Sequence, residues 1–117
     1  MEGQELRRRP SVEREIGAIT TEDRRIRIIG TVVGKDSELS TIALDDGTGT
    51  ATAFFDDLDL IERLDGITQG DMVKLIGRVV PLEGGFELRG EAVEKINNLD
   101  VGLLKRVRAL EAKMKGE

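Results

Sequence analysis

Phe54 and Phe55 stand side by side at the end of "TIALDDGTGTATAFF", in a chain that has three phenylalanines, no tryptophan and no tyrosine. Neighbouring residues on a strand point to opposite faces. Ala51, Ala53 and Phe55 therefore share one face, and Thr50, Thr52 and Phe54 share the other. The all-apolar set belongs in a core, which leaves Phe54 beside Thr52 on the face towards solvent. An exposed ring over a polar face is a platform for a planar base, and stacking is worth about 1–3 kcal/mol per base. The bland alternative is that Phe54 packs on a neighbouring loop or helix. One inserted residue near Ala53 would exchange the two rings.

The same alternation puts Arg25 and Arg27 outside on the strand-like run "RRIRIIGTVVGKD" and Lys35 in the loop after it. Lys74 and Arg78 lie outside on "GDMVKLIGRVVPL", and Arg89 on "FELRGEAVEKI". Arg27, Lys35 and Arg78 are the best-placed contacts for phosphates, with Arg25 behind them. For each cation the competing reading is a solvated surface charge. Charge balance limits the strength of any such site. Residues 26–98 hold seven Lys/Arg against fourteen Asp/Glu, whereas residues 1–25 balance and residues 99–117 hold five against three. A surface that lives by neutralising phosphates usually carries the opposite sign.

Other chemistry has little to work with. The chain has no His and no Cys, so it lacks the commonest general base at neutral pH, the commonest metal ligands and any disulfide. The carboxylates at 45–46 and 56–59 sit at turns, where Asp is favoured for backbone reasons. Neither a catalytic set nor a cofactor or metal is expected. No run approaches the roughly 20 apolar residues of a membrane span, and the first residues lack the apolar stretch of a secretory signal. The expected location is cytoplasmic.

The elements that must position these residues read as strand, strand, strand, helix, strand, strand, helix. Residues 1–12 read as a flexible polar arm, and residues 13–21 as a short capping turn or helix. Ile26, Ile28, Val32 and Val33 mark a long first strand bent at Gly30, since glycine inside a strand pattern signals a bulge or bend. "TIALD" and "TATAFF" form a hairpin about "DGTG". Leu58, Ile61 and Leu64 predict a helix of about two turns. Two further strands meet at "EGG", with a possible bend at Gly90. Five strands, a bent first one and a helix between the third and fourth predict a small all-β barrel of the OB-fold kind. The domain is placed at residues 13–98.

In order, "RIRIIGTVVGKD", "DDGTG", "GDMVKLIGRVV" and "GGFELRGEAVEKI" resemble the OB-fold of the replication protein A family, especially its middle subunit and archaeal relatives. The resemblance implies that the face of strands two and three, with the loops after strands one and four, binds single-stranded DNA. It also implies that a C-terminal helix joins helices of larger OB-fold subunits. The chain departs from the family twice. Asp56 stands near the place of the strand-three aromatic, and Leu82 stands where the strand 4–5 loop often carries a stacking ring. Phe86 shares the parity of Leu88 and is expected in the core.

Residues 99–117 contain Leu103, Leu104, Val107, Leu110 and Met114, an apolar seam at helical spacing. Asp100 can cap that helix. The seam is expected to pair with partner helices, or with a second copy when the chain is alone. Lying on its own barrel is the alternative. The reading that follows is a subunit of a replication-protein-A-like complex in DNA replication and repair, binding single-stranded DNA weakly by itself. Its rival is an OB-fold scaffold of a genome-stability or telomere-capping assembly whose face never meets DNA. An anticodon-binding OB-fold would show more basic and aromatic residues.

Overall fold

The computed structural model describes residues 10–96. The first nine residues and the expected seam of residues 99–117, with the oligomerisation candidates Leu103, Leu104, Val107, Leu110 and Met114, lie outside that range.

Six strands and one helix make up the described chain: β1 (Val12–Glu13), β2 (Arg25–Asp36), β3 (Thr41–Asp45), β4 (Thr50–Phe54), α1 (Leu58–Leu64), β5 (Met72–Leu82) and β6 (Gly85–Lys95). The strand order is β1-β2-β3-β4-β6-β5, and β5 pairs again with β2. Strands β2 to β6 thus close a five-stranded mixed barrel with the OB-fold order. Every neighbouring pair in it is antiparallel except β4 with β6. β1 adds two residues in parallel beside Ile26 and Arg27, where β3 does not reach β2. The stretch read as a capping turn contains a 3-10 turn, Ile16–Ala18.

The expected alternation holds along the strands except at two bulges, one in β2 and one in β6, where Glu91 is the extra residue and brings Val93 to the same face as Leu88. Ile26, Ile28 and Val32 of β2, Ile42 and Leu44 of β3, Val73, Leu75 and Val79 of β5, and Leu88 and Val93 of β6 are all buried in one core. Phe86 packs against that core from a partly buried position, as its parity predicts.

The bend in β2 differs from expectation. The register shifts between Val32 and Gly34 rather than at Gly30, leaving Val33 as the extra, exposed residue. Beyond this bulge the pleat is inverted. Gly34 pairs with outward Ala43, and Lys35 pairs with inward Ile42. Lys35 is therefore on the inner face of β2 near its end, and not in the loop where the sequence placed it. Gly30 has a different role: a Cβ there would stand 3.1 Å from the carbonyl oxygen of Asp45. Strand β2 leaves β5 and takes up β3 at this crossing.

The two ends of β4 are closed by different devices. At the hairpin end, Asp46 ties the N-terminal turn to the barrel. One carboxylate oxygen accepts from the Ile16 N–H at 2.8 Å, and the other accepts from the Thr48 N–H at 2.9 Å and from the Thr48 hydroxyl. The Gly17 N–H donates to the same Thr48 hydroxyl at 2.8 Å. Ile16 is thereby held in the core. At the other end, Asp57 caps α1 by accepting from the Asp59 and Leu60 N–H groups at 2.9 and 3.2 Å. Leu64 and Ile67 are buried, with Leu60 and Ile61 packed beside them. Leu58, expected on the apolar face, is instead 78% exposed at the first helical position, where it precedes the turn that meets the barrel.

Two predictions follow from these closures. Burial raises the Asp46 pKa, but the hydrogen bonds from Thr48, Ile16 and Gly49 outweigh it and hold the carboxyl below its ordinary value. The stability it contributes is then full above the ordinary carboxylate value of about 3.9 and is lost as pH falls through the lower folded-state value. Asp46→Ala should cost about 1–2 kcal/mol at pH 7, and its deficit against the parent should shrink below about pH 4. Urea melts of both proteins across that range check it. Second, a Cβ on Gly90 would stand 2.2 Å from the Phe55 ring. Gly90→Ala should therefore lower the melting temperature sharply in the parent and hardly at all in a Phe55→Ala background, a coupling that a double-mutant cycle measures.

Candidate nucleic-acid interface

The outward surface of β3 and β4 is built from the threonine side of the alternation. Asp45 faces Thr50, Ala43 faces Thr52 and Thr41 faces Phe54. Phe55 is 4% exposed and Phe54 38%, so the two adjacent rings divide between core and surface as expected. Phe55 is inside because its ring covers Gly90, a position with no side chain to displace it. Phe54 lies at the edge of the exposed face, in register with the buried Thr41 of β3.

Strand β6 continues the face. It meets β4 only at Ala53 and Phe54, which pair with Leu88 and Arg89. Arg89 pairs in turn with Arg78 of β5, and Arg78 with Arg25 of β2. Since Leu88, Val79 and Ile26 are buried, their neighbours Arg89, Arg78 and Arg25 point outward. Phe54, Arg89, Arg78 and Arg25 thus form one row across four strands. Carboxylates accompany it. Arg25 Nε lies 2.6 Å from Glu91, and Arg89 pairs with Glu87 and, at 3.1 Å, with Asp56.

Of the cations expected at phosphates, the structure brings Arg25 and Arg78 into this row. Arg27 lies one row away, where its guanidinium donates to the Ser11 hydroxyl at 2.9 Å. Lys35 is a correction to the expected phosphate loop. Its ammonium donates to the Leu64 carbonyl and, at 2.9 Å, to the Ile67 carbonyl. It satisfies the last carbonyl of α1, where a cation is favoured, and the Ile67 carbonyl in the turn that follows, because the bulge at Val33 turned it inward. Leu82 is 52% exposed near the tip of the β5–β6 hairpin, away from the row, and Val33 and Leu39 add apolar surface beside the β2–β3 turn. Arg89 was legible as an outward residue, but its place beside Phe54 was not, since that depends on the β4–β6 register.

Within the acidic clusters, Asp45, Asp46 and Asp57 accept from backbone N–H groups, and Asp56 pairs with Arg89. Asp45 accepts from the Gly47 N–H and the Thr50 hydroxyl, both at 2.8 Å. Among the described residues no group of three or more potential ligands is arranged to hold a metal ion. No helix among them is long and apolar enough to cross a membrane.

Residues 24–96 match the family described as the OB-fold nucleic acid binding domain. The chain belongs to that family. Solved structures share the fold. The S. pombe Stn1–Ten1 complex aligns with a TM-score of 0.62 at 22% identity, over 79% of this chain and 74% of that one. A replication protein A heterotrimer bound to single-stranded DNA aligns at 0.59 and 14% identity, over 92% and 84%. Entamoeba histolytica asparaginyl-tRNA synthetase aligns at 0.67 and 15% identity, over 76% of this chain. The matched chain corresponds to 24% of that synthetase's length. No curated protein matches the chain in sequence.

Exchanging each ring for alanine separates their roles. Phe55→Ala should cost about 3–5 kcal/mol, as buried Phe truncations do, and Phe54→Ala under about 1 kcal/mol. Thermal melts compare them, and a larger loss at Phe54 would mean that its ring is the structural one.

Proposed function

We propose that the chain is an OB-fold subunit of a replication-protein-A-like complex that binds single-stranded DNA in replication and repair. The observation that carries the reading is Phe54, an exposed ring on the threonine face of β4 with Arg89 in register beside it. A base stacks on the ring while the adjoining guanidinium faces the backbone. Membership of a nucleic-acid-binding family and the likeness to replication protein A support it.

Binding by the single subunit is weak on this reading. Residues 26–98 carry twice as many acidic as basic side chains, and Arg25 and Arg89 already have carboxylates beside them. Affinity for oligothymidylate should be micromolar or weaker at physiological salt, with a shallow salt dependence. Phe54→Ala should weaken it by about 1–3 kcal/mol, which is roughly five- to 150-fold. Fluorescence anisotropy at about 50 mM salt measures both, and nanomolar binding by the parent would sink the weak-subunit reading.

Assembly is assigned to residues 99–117. Their apolar seam pairs with helices of larger OB-fold subunits and, without them, with a second copy. Replacing Val107 and Leu110 with Asp should turn a self-associating chain into a folded monomer by light scattering. Equal masses for variant and parent would remove this role. The second reading, a scaffold of a telomere-capping assembly, draws support from the likeness to Stn1–Ten1 and from the acidic barrel. It expects Phe54→Ala to leave DNA affinity unchanged and to weaken a protein partner instead.

A further inference from the structure

We propose that Arg89, Arg78 and Arg25 form a phosphate track that leads a single-stranded nucleic acid from Phe54 across β6, β5 and β2. The inference rests on the nucleic-acid reading above and adds the route of the strand. Its basis is the register, in which Phe54 pairs with Arg89, Arg89 with Arg78 and Arg78 with Arg25. Neighbouring strands lie about 4.8 Å apart, so the row sets an aromatic platform and three guanidinium groups at regular steps on the outside of the barrel.

The fold does not need this arrangement. Like charges directly opposite each other on paired strands are destabilising, and here two such pairs share one residue. Arg78 is that residue. It is exposed and has no hydrogen bond or ion pair to its side chain among the described residues. Its neighbours differ: Arg25 is oriented by Glu91, and Arg89 by Glu87 and Asp56. The centre of the row is thus a cation between two cations, which a bound phosphate would relieve. Three other basic side chains of the barrel strands are engaged elsewhere. Lys35 closes α1, Arg27 holds Ser11, and Lys74 lies 3.0 Å from Glu94. A polyphosphodiester fits better than an acidic peptide, because the row begins at a ring that a base can stack on and a carboxylate cannot.

The test uses the full chain and a fluorescein-labelled oligothymidylate of about 15 nucleotides, a length suited to one OB-fold. Anisotropy titrations from about 20 to 200 mM KCl give Kd and its salt slope. Arg78→Gln should weaken binding roughly fivefold at about 50 mM salt and reduce the slope by about 0.7, the loss of one phosphate contact. The same change should appear with oligodeoxyadenylate, since a phosphate contact carries no base preference. Arg78→Lys should stay close to the parent, and Arg63→Gln on α1 should match it. If Arg78→Gln leaves Kd and slope unchanged while Phe54→Ala weakens binding, the track is wrong and the stacking site stands. If the parent binds no oligonucleotide even at the lowest salt, both readings fall. Binding of poly-glutamate in its place, lost in Arg78→Gln, would reassign the row to an acidic protein partner.

Discussion

Strand β2 has to serve two partners along one length. Its first half pairs with β5 and its second with β3, and Thr31 is in register with both. This shared strand closes the barrel. Following the paired residues once around, from Arg25 through Arg78, Arg89, Phe54 and Thr41, leads back to β2 at Asp36 and not at Arg25. That stagger is the shear a closed barrel requires. The missing side chain at Gly30 lets the two pairings cross, and the bulge at Val33 lets the second half turn. The row of outward residues at the candidate interface exists because of this closure.

Closure also dictates what fills the ends. A barrel of five short strands has a small interior, and its open ends expose the same side chains that its walls bury. Ile16 and Ile19 cover one end, and Leu64 and Ile67 the other. Each plug is fastened by charge-assisted hydrogen bonds to backbone groups: Asp46 holds the N-terminal turn, and Lys35 holds the end of α1. Two charged side chains that a surface survey would assign to solvent or ligand therefore serve stability. The acidic balance of the barrel reads differently in this light, because Asp45, Asp46 and Asp57 are largely committed to turns and caps.

Under the proposed function, the electrostatics of this face fit a subunit better than an independent binder. An ion pair at the surface contributes little to folding, yet it orients a guanidinium and lowers its net attraction for phosphate. Arg25 and Arg89 are in that state. Affinity would then come from joining this face to stronger ones, since linked sites gain through effective concentration.

Sequence by itself determined the order of the five barrel strands and the helix along the chain, the hairpin about "DGTG", most of the inward residues and the division of Phe54 from Phe55. The reason is that the pleat is local: a side chain's face follows from its neighbours, so alternation of Ala with Thr is enough. Tertiary structure alone decided which outward residues are neighbours. Strand register joins residues far apart in the chain, and no local pattern says that Arg89 lies beside Phe54 or Arg78 beside Arg25. Lys35 shows the same limit in the other direction. Its face was inverted by one extra residue at Val33, and that bulge is a consequence of β2 exchanging β5 for β3, a long-range demand with no mark in "TVVGKD" except a glycine that sits one residue too late.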